Sequence, residues 1–166
     1  MERLYLTPGE MIAAYSAAGR GKLNRPTASL LLLGILAGAI IAVAGAATNT
    51  AAYGIADTWT LRTVCALLFP FGLGLVVVTG SELFTGNCML PITLLDGSGT
   101  VGQLLRNWAL SYLGNILGAG LVAALCVFCG QLDYSAGALA VYTIRVGAAK
   151  CAMSFGNAFG LGILCN

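Results

Sequence analysis

A chain of 166 residues that is 58% apolar and only 8% charged, with a mean hydropathy of +0.90, excludes an ordinary water-solvated domain, whose charged share is roughly 25%. Eight basic and six acidic residues leave a net charge of +2, scattered apart from one N-terminal cluster, which excludes a nucleic-acid-binding stripe and a polyanion partner. There is no histidine.

The N-terminus lacks a signal-peptide pattern, since Glu2 and Arg3 lead into a polar, broken stretch through Pro26 rather than a short apolar run with a cleavage site. Residues 1–27 are expected to form a cytoplasmic segment. Within it, Thr7 to Tyr15 suits a short helix on the membrane surface, with Thr7 as N-cap, Pro8 in the first turn and Glu10 at the capping-box position. The first span is placed at 28–47, where LLLLGILAGAIIAVAGAA meets the requirement for about 20 apolar residues across about 30 Å of hydrocarbon. Arg3, Arg20, Lys22 and Arg25 precede it, and the loop to Leu61 carries Asp57 but no Lys or Arg. An excess of basic residues marks the cytoplasmic side, so the N-terminus is assigned there, in a cell inner (cytoplasmic) membrane.

From Thr63 to Leu95 the chain is almost uncharged, and one straight helix of that length would measure about 50 Å, too long for a bilayer core. It must break, tilt or turn back. Gly80 and Gly86 bracket Ser81, Glu82, Leu83, Phe84 and Thr85, and Pro91 follows, so the expected order is a helix at 63–79, an irregular loop at 80–87 and a short second helix at 88–95. Non-helical backbone at membrane depth survives only where protein buries it or water reaches it, which makes this loop the leading pore element. A third span is expected at 107–130. The polar piece from Gln131 to Tyr142 leads to Arg145, Lys150 and a final apolar stretch at 151–166. At helical rise that stretch is about 24 Å long, so the chain is expected to stop partway through a fourth span. The fold class is therefore all-α integral membrane, truncated within the fourth span.

Small residues recur at four-residue spacing: Gly34, Gly38, Ala42 and Ala46, then Gly114 and Gly118, then Gly156 and Gly160. They permit close helix approach, either within the chain or between subunits. The six cysteines lie mostly in apolar runs and suggest no disulfide framework. Cys126 and Cys129 spell C-x-x-C, but without a βαβ pattern or a histidine to complete a mixed site. A membrane redox enzyme built on that pair is a third-ranked reading; no catalytic residue, metal or cofactor is indicated, and the chain is not expected to be an enzyme.

Glu82 and Lys150 are the informative charges, because they adjoin or enter apolar sequence. For Lys150 two roles are open: a long stem snorkelling to the interface, or a cation that raises anion concentration at a pore mouth. For Glu82 the preferred reading is a buried carboxylate that accepts backbone N–H bonds and holds the loop, since a carboxylate lining the path would repel the anion that Lys150 attracts.

Three segments resemble the formate/nitrite transporter family of formate, nitrite and hydrosulfide channels: GSELFTGN at Gly80 to Asn87, NWALSYLGNILGA at Asn107 to Ala119, and AAKCAMSFGNAFGLGILCN at Ala148 to Asn166. They correspond to the family's interrupted second-helix loop, its third-helix signature and the start of its fourth helix. The resemblance covers the whole chain, and the family's usual length continues through a fifth and a sixth span. It implies an aquaporin-like bundle of two inverted halves, a homopentamer with one pore per protomer, and a small anion or its conjugate acid as passenger. It further implies that Leu73, Leu83 and Phe84 form a cytoplasmic-side apolar constriction, that Phe69 contributes to a periplasmic-side one, that Thr85 lies between them as a hydrogen-bonding gate, and that Lys150 stands near the periplasmic mouth. Gly80, Glu82, Gly86 and Asn87 would shape the loop. The family's second-half loop carries a histidine facing Thr85; these 166 residues hold no counterpart.

Apolar constrictions have a physical logic. An unpaired ion in hydrocarbon costs tens of kcal/mol by an idealised Born estimate, whereas protonating an acid of pKa about 4 at pH 7 costs about 4 kcal/mol. The neutral acid is the cheaper passenger, so Lys150 is expected to gather the anion and protonation to occur before or within the constrictions. The resulting function is a channel or proton-coupled transporter for small monovalent anions. The alternative is a non-conducting membrane fragment lacking the second pore half.

Overall fold

The computed structural model describes residues 5–165, so Arg3, Asn166 and the side chain of Cys165 lie outside the described residues. Within them the chain is helical, and three helices are long and apolar enough to cross a membrane.

Helix α1, Pro8–Leu23, starts at a complete capping box: Thr7 and Glu10 each satisfy the other's backbone N–H. Those bonds from Thr7 hold the Glu10 carboxyl below its ordinary range, its backbone N–H counting first and its hydroxyl second. The helix continues well past Tyr15, ending at Asn24. Helix α2, Thr27–Ala52, outruns the 28–47 segment at its far end. The polar Thr48-Asn49-Thr50 tail stays helical because Thr48 and Thr50 return their hydroxyls to the carbonyls four residues earlier, Ala44 and Ala46.

Asp57 caps the next helix through the Thr60 N–H. The span accordingly begins at Thr58 rather than Thr63, and Arg62 sits in its second turn. It divides into α3, Thr58–Leu68, and α4, Pro70–Thr79, because Pro70 lacks the N–H that would continue the ladder. Helix α4 stops at Gly80, whose φ of +63° is left-handed and whose N–H returns to the Val76 and Val77 carbonyls. A side chain at that backbone angle would be strained, so the glycine is what allows the helix to end here. Two short helices follow, α5 at Phe84–Asn87 and α6 at Ile92–Leu95.

Helix α7, Val101–Phe128, begins at a Thr100–Gln103 capping box, six residues before the expected 107. A 3₁₀ turn at Gln131–Asp133 leads to α8, Ala138–Cys151. In place of a polar connection leading to Arg145 and Lys150, this segment is a helix that carries Arg145 and places Lys150 in its last turn, where a cation complements the helix dipole. After a break at 152–154 comes α9, Phe155–Cys165, whose amide at Asn157 is met by the Ser154 hydroxyl.

The main packing interface is α2 against α7. Its closeness depends on glycine: a Cβ at Gly38 would run into the Asn115 carbonyl, one at Gly118 into the Ile35 carbonyl, and one at Gly114 would stand 2.9 Å from the Gly34 Cα. For these two helices the small-residue stripes serve contact within the chain. Gly156 and Gly160 on α9 meet nothing within 4 Å.

Candidate functional site

The segment between Gly80 and Phe84 turns away from helical geometry beside α2 and α7, and several of its polar groups find partners there, although Glu82 Oε1 accepts no hydrogen bond among the described residues. The Glu82 N–H donates to the Leu33 carbonyl of α2 at 3.2 Å. The Glu82 side chain is wholly buried. Its Oε2 receives Lys22 Nζ at 3.1 Å and Asn87 Nδ2 at 2.9 Å, while Arg25 Nε lies 3.7 Å from Oε1. Lys22 also donates to Asn87 Oδ1 at 3.0 Å. Glu82 thus takes two side-chain donors, Lys22 and Asn87, with Arg25 as a second cation at ion-pair distance, in place of the expected backbone N–H groups. Burying a lone carboxylate costs several kcal/mol, and the two cations at the α1–α2 junction offset that cost.

Further contacts fix the loop from outside. Trp108 Nε1 of α7 donates to the Asn87 carbonyl at 2.8 Å, and the Tyr15 hydroxyl of α1 donates to the Gly86 carbonyl at 3.2 Å. Burial, followed by the Glu82 charge, raises the Tyr15 phenol above its ordinary value. Asn115 bonds to the Glu82 carbonyl, the Gly34 carbonyl and the Phe84 N–H. On the linker side, Arg106 donates to the Leu23 and Arg25 carbonyls and to the Thr27 hydroxyl. The buried Asn107 reaches the Lys22 carbonyl at 3.4 Å. The start of α7 therefore holds the backbone that presents Lys22 and Arg25.

Beside the loop lies a cleft of about 550 Å³. Leu73, Val76, Val77 and Leu83 form its apolar wall, and Lys22, Arg25 and Glu82 its charged end. Leu73 and Leu83 thus share one space, and Gly80 and Gly86 border it. Phe84 packs instead edge-on to Tyr112 and Trp108, at ring separations of 5.3 and 6.3 Å. Asn87 is buried and Thr85 is exposed on α5. Phe69 stands 47% exposed at the α3–α4 break, outside this cleft. Lys150 is exposed on α8, and no ion pair or hydrogen bond joins it to the loop among the described residues. Cys126 and Cys129 are free thiols at the far end of α7.

The residues that sequence reasoning missed are Lys22 and Arg25 as partners of Glu82, together with Tyr15, Trp108 and Asn115. Part of the signal was present: an Asn or a Trp N–H inside an apolar helix needs a buried partner.

Membrane-length helices packed beside a non-helical segment, with charge buried next to an apolar cleft, are the make-up of a helical membrane protein. The family model for the formate/nitrite transporters matches residues 9–166, and the chain belongs to that family. It is 34% identical over 98% of its length to a probable formate transporter of Methanothermobacter thermautotrophicus, covering 66% of that protein. It is 35% identical over 97% of its length to the formate channel FocA of Haemophilus influenzae, covering 57% of it. Among solved structures, an FNT family ion channel superposes with a TM-score of 0.67 at 27% identity, over 74% of this chain and 50% of that one. The chain thus spans between 57% and 66% of the length of these curated relatives.

Proposed function

We propose that the protein forms part of a homopentameric channel or proton-coupled transporter that passes small monovalent anions, or their conjugate acids, across the cytoplasmic membrane. Formate, nitrite and hydrosulfide are the candidate substrates, formate being the one the relatives' names favour. The observation that carries this reading is the non-helical loop at Gly80–Leu83, with Ser81 and Glu82 buried beside α2 and α7 and a cleft with an apolar wall next to it. Such backbone is tolerated at membrane depth where protein buries it or where it lines a water-filled cavity, and the cleft beside this loop supports the second of these. In this reading α3–α4, the loop and α5 are an interrupted second span of one aquaporin-like half. Leu73, Leu83 and Phe84 contribute to one constriction, Phe69 to another, and Thr85 lies between them.

In this reading the N-terminus is cytoplasmic, which the distribution of basic residues supports. Arg20, Lys22, Arg25 and Arg106 gather near the α1–α2 junction and the start of α7, against Arg62, Arg145 and Lys150 elsewhere. Lys150 attracts the anion from the opposite side, and protonation precedes passage through the apolar walls. The test is uptake of formate, nitrite and hydrosulfide into proteoliposomes carrying the full protein, over a pH series. The expected result is flux of at least one of them, rising as the external pH is lowered and the neutral acid becomes a larger share of the external solute. Proteoliposomes no more permeable than empty ones would refute the assignment.

A further inference from the structure

Asn115 is a single side chain that joins three chain segments. Its Nδ2 donates to the Gly34 carbonyl of α2 at 2.8 Å and to the Glu82 carbonyl of the loop at 2.9 Å. Its Oδ1 accepts the Phe84 N–H, at the start of α5, at 2.8 Å. The partners fix which way the amide faces. Turned over, its oxygen would confront two carbonyl oxygens and its NH₂ group an N–H. No other side chain of this size supplies two donors on one side and an acceptor on the other: aspartate lacks both donors, and leucine lacks all three groups.

Glu82 and Phe84 flank Leu83, so Asn115 grips the backbone on both sides of the residue that shares the cleft with Leu73. The same amide ties that backbone to Gly34, which faces Gly114 of α7 across the α2–α7 interface. Helix α7 therefore holds the backbone on both sides of Leu83, which lines the same cleft as Leu73. The ion pairs of Glu82 neutralise the loop's charge through a flexible side chain, whereas Asn115 fixes the peptide itself.

We propose that Asn115 is a positioning residue that sets the aperture between Leu83 and Leu73, and through it the discrimination between small and larger monovalent acids. The inference rests on the transport reading above. The selective quantity is a width, and a displaced Leu83 widens the passage without altering charge at either mouth.

The test uses the full protein in proteoliposomes, with uptake of formate and of the larger lactate measured at one fixed pH. Two variants are compared with the unaltered protein. N115D keeps the acceptor for the Phe84 N–H and loses both donors; N115S shortens the bridge without adding charge. The ratio of formate to lactate uptake is expected to fall about tenfold in either variant, the scale of one or two net hydrogen bonds. Should N115D fail to fold, N115S decides. A role confined to stability lowers both fluxes in parallel, so an unchanged ratio in the folded variants overturns the proposal while leaving transport intact. Absence of flux in the unaltered protein overturns transport and this inference together.

Discussion

Lys22 and Lys150 each stand five residues ahead of an apolar helix, Lys22 before Thr27 and Lys150 before Phe155, yet their surroundings differ. Lys22 is part-buried and bonded to both Glu82 and Asn87, and its own backbone is held from α7. Around it α1, α2, the loop and α7 form one connected polar network inside an apolar bundle. Lys150 is exposed, with no carboxylate beside it among the described residues, and the α9 helix after it offers open faces at Gly156 and Gly160. A buried charge in apolar surroundings persists only with its partner. An exposed one is free to act on what passes. The same residue type thus serves structure at one site and stands open at the other.

The largest expected effect breaks this contrast at its stronger end. Lys22→Ala leaves Glu82 buried with Arg25 at 3.7 Å and Asn87 as its remaining partners, and should destabilise the protein by about 3 kcal/mol, the lower end of the cost of breaking a buried pair. The lower end applies because Lys22 is itself 30% exposed. Denaturant unfolding in detergent measures it, with Lys150→Ala as the control, expected within about 0.5 kcal/mol of the unaltered protein. Equal losses in both variants would erase the distinction.

Next in size is the glycine contrast. Gly38→Ala and Gly118→Ala push a methyl group into backbone carbonyls of the facing helix and should cost about 1–3 kcal/mol each, the usual price of overpacking. Gly160→Ala has open space and should leave unfolding within about 0.5 kcal/mol. A change in oligomer state for Gly160→Ala, with stability of the subunit unaltered, would assign that stripe to a partner surface.

How much of this was legible in the sequence follows from the kind of signal each feature leaves. The loop announces itself locally: Gly80, Glu82 and Gly86 interrupt an apolar run too long to stay helical in a bilayer, and Gly80 is indeed left-handed. Its partners do not, because Lys22 lies 60 positions earlier and Asn115 31 positions after Phe84. Helix ends were misjudged where hydropathy stood in for helicity. Thr48 and Thr50 satisfy themselves within α2, Thr100 and Gln103 start α7 among polar residues, and Ala138–Cys151 is helical although Tyr142, Arg145 and Lys150 break its apolar run. Apolar runs report where a chain meets lipid. Caps and side-chain bonds to the backbone decide where a helix begins and ends.

The Lys150 end is probed by transport rather than by stability. Lys150→Ala should reduce anion uptake about tenfold at low ionic strength, with less effect in high salt, because a single mouth charge acts by concentrating the anion and salt screens it. Uptake indistinguishable from the unaltered protein across pH and salt would remove the attracting role and leave snorkelling.

The smallest expected effect concerns the outer edge of the Lys22 network, where the buried Ser16 hydroxyl of α1 donates to Asp96. That hydrogen bond comes first in holding the Asp96 carboxyl below its ordinary value, followed by bonds from Ser98 and by the Arg20 charge. A carboxylate with a depressed folded pKa contributes stability that is complete above its unfolded value, about 3.9, and lost as pH falls through the folded one. Acidification from neutral to pH 5 should therefore leave the hold on α1 unchanged, and loosening should begin only below about pH 4. Asp96→Asn should mimic the acid state at neutral pH, giving faster amide hydrogen exchange in the second half of α1 and none of that change in α7. If exchange in α1 is the same with Asn at 96, the Ser16 contact does not secure the helix, and the edge of the network retreats to Tyr15 and Lys22.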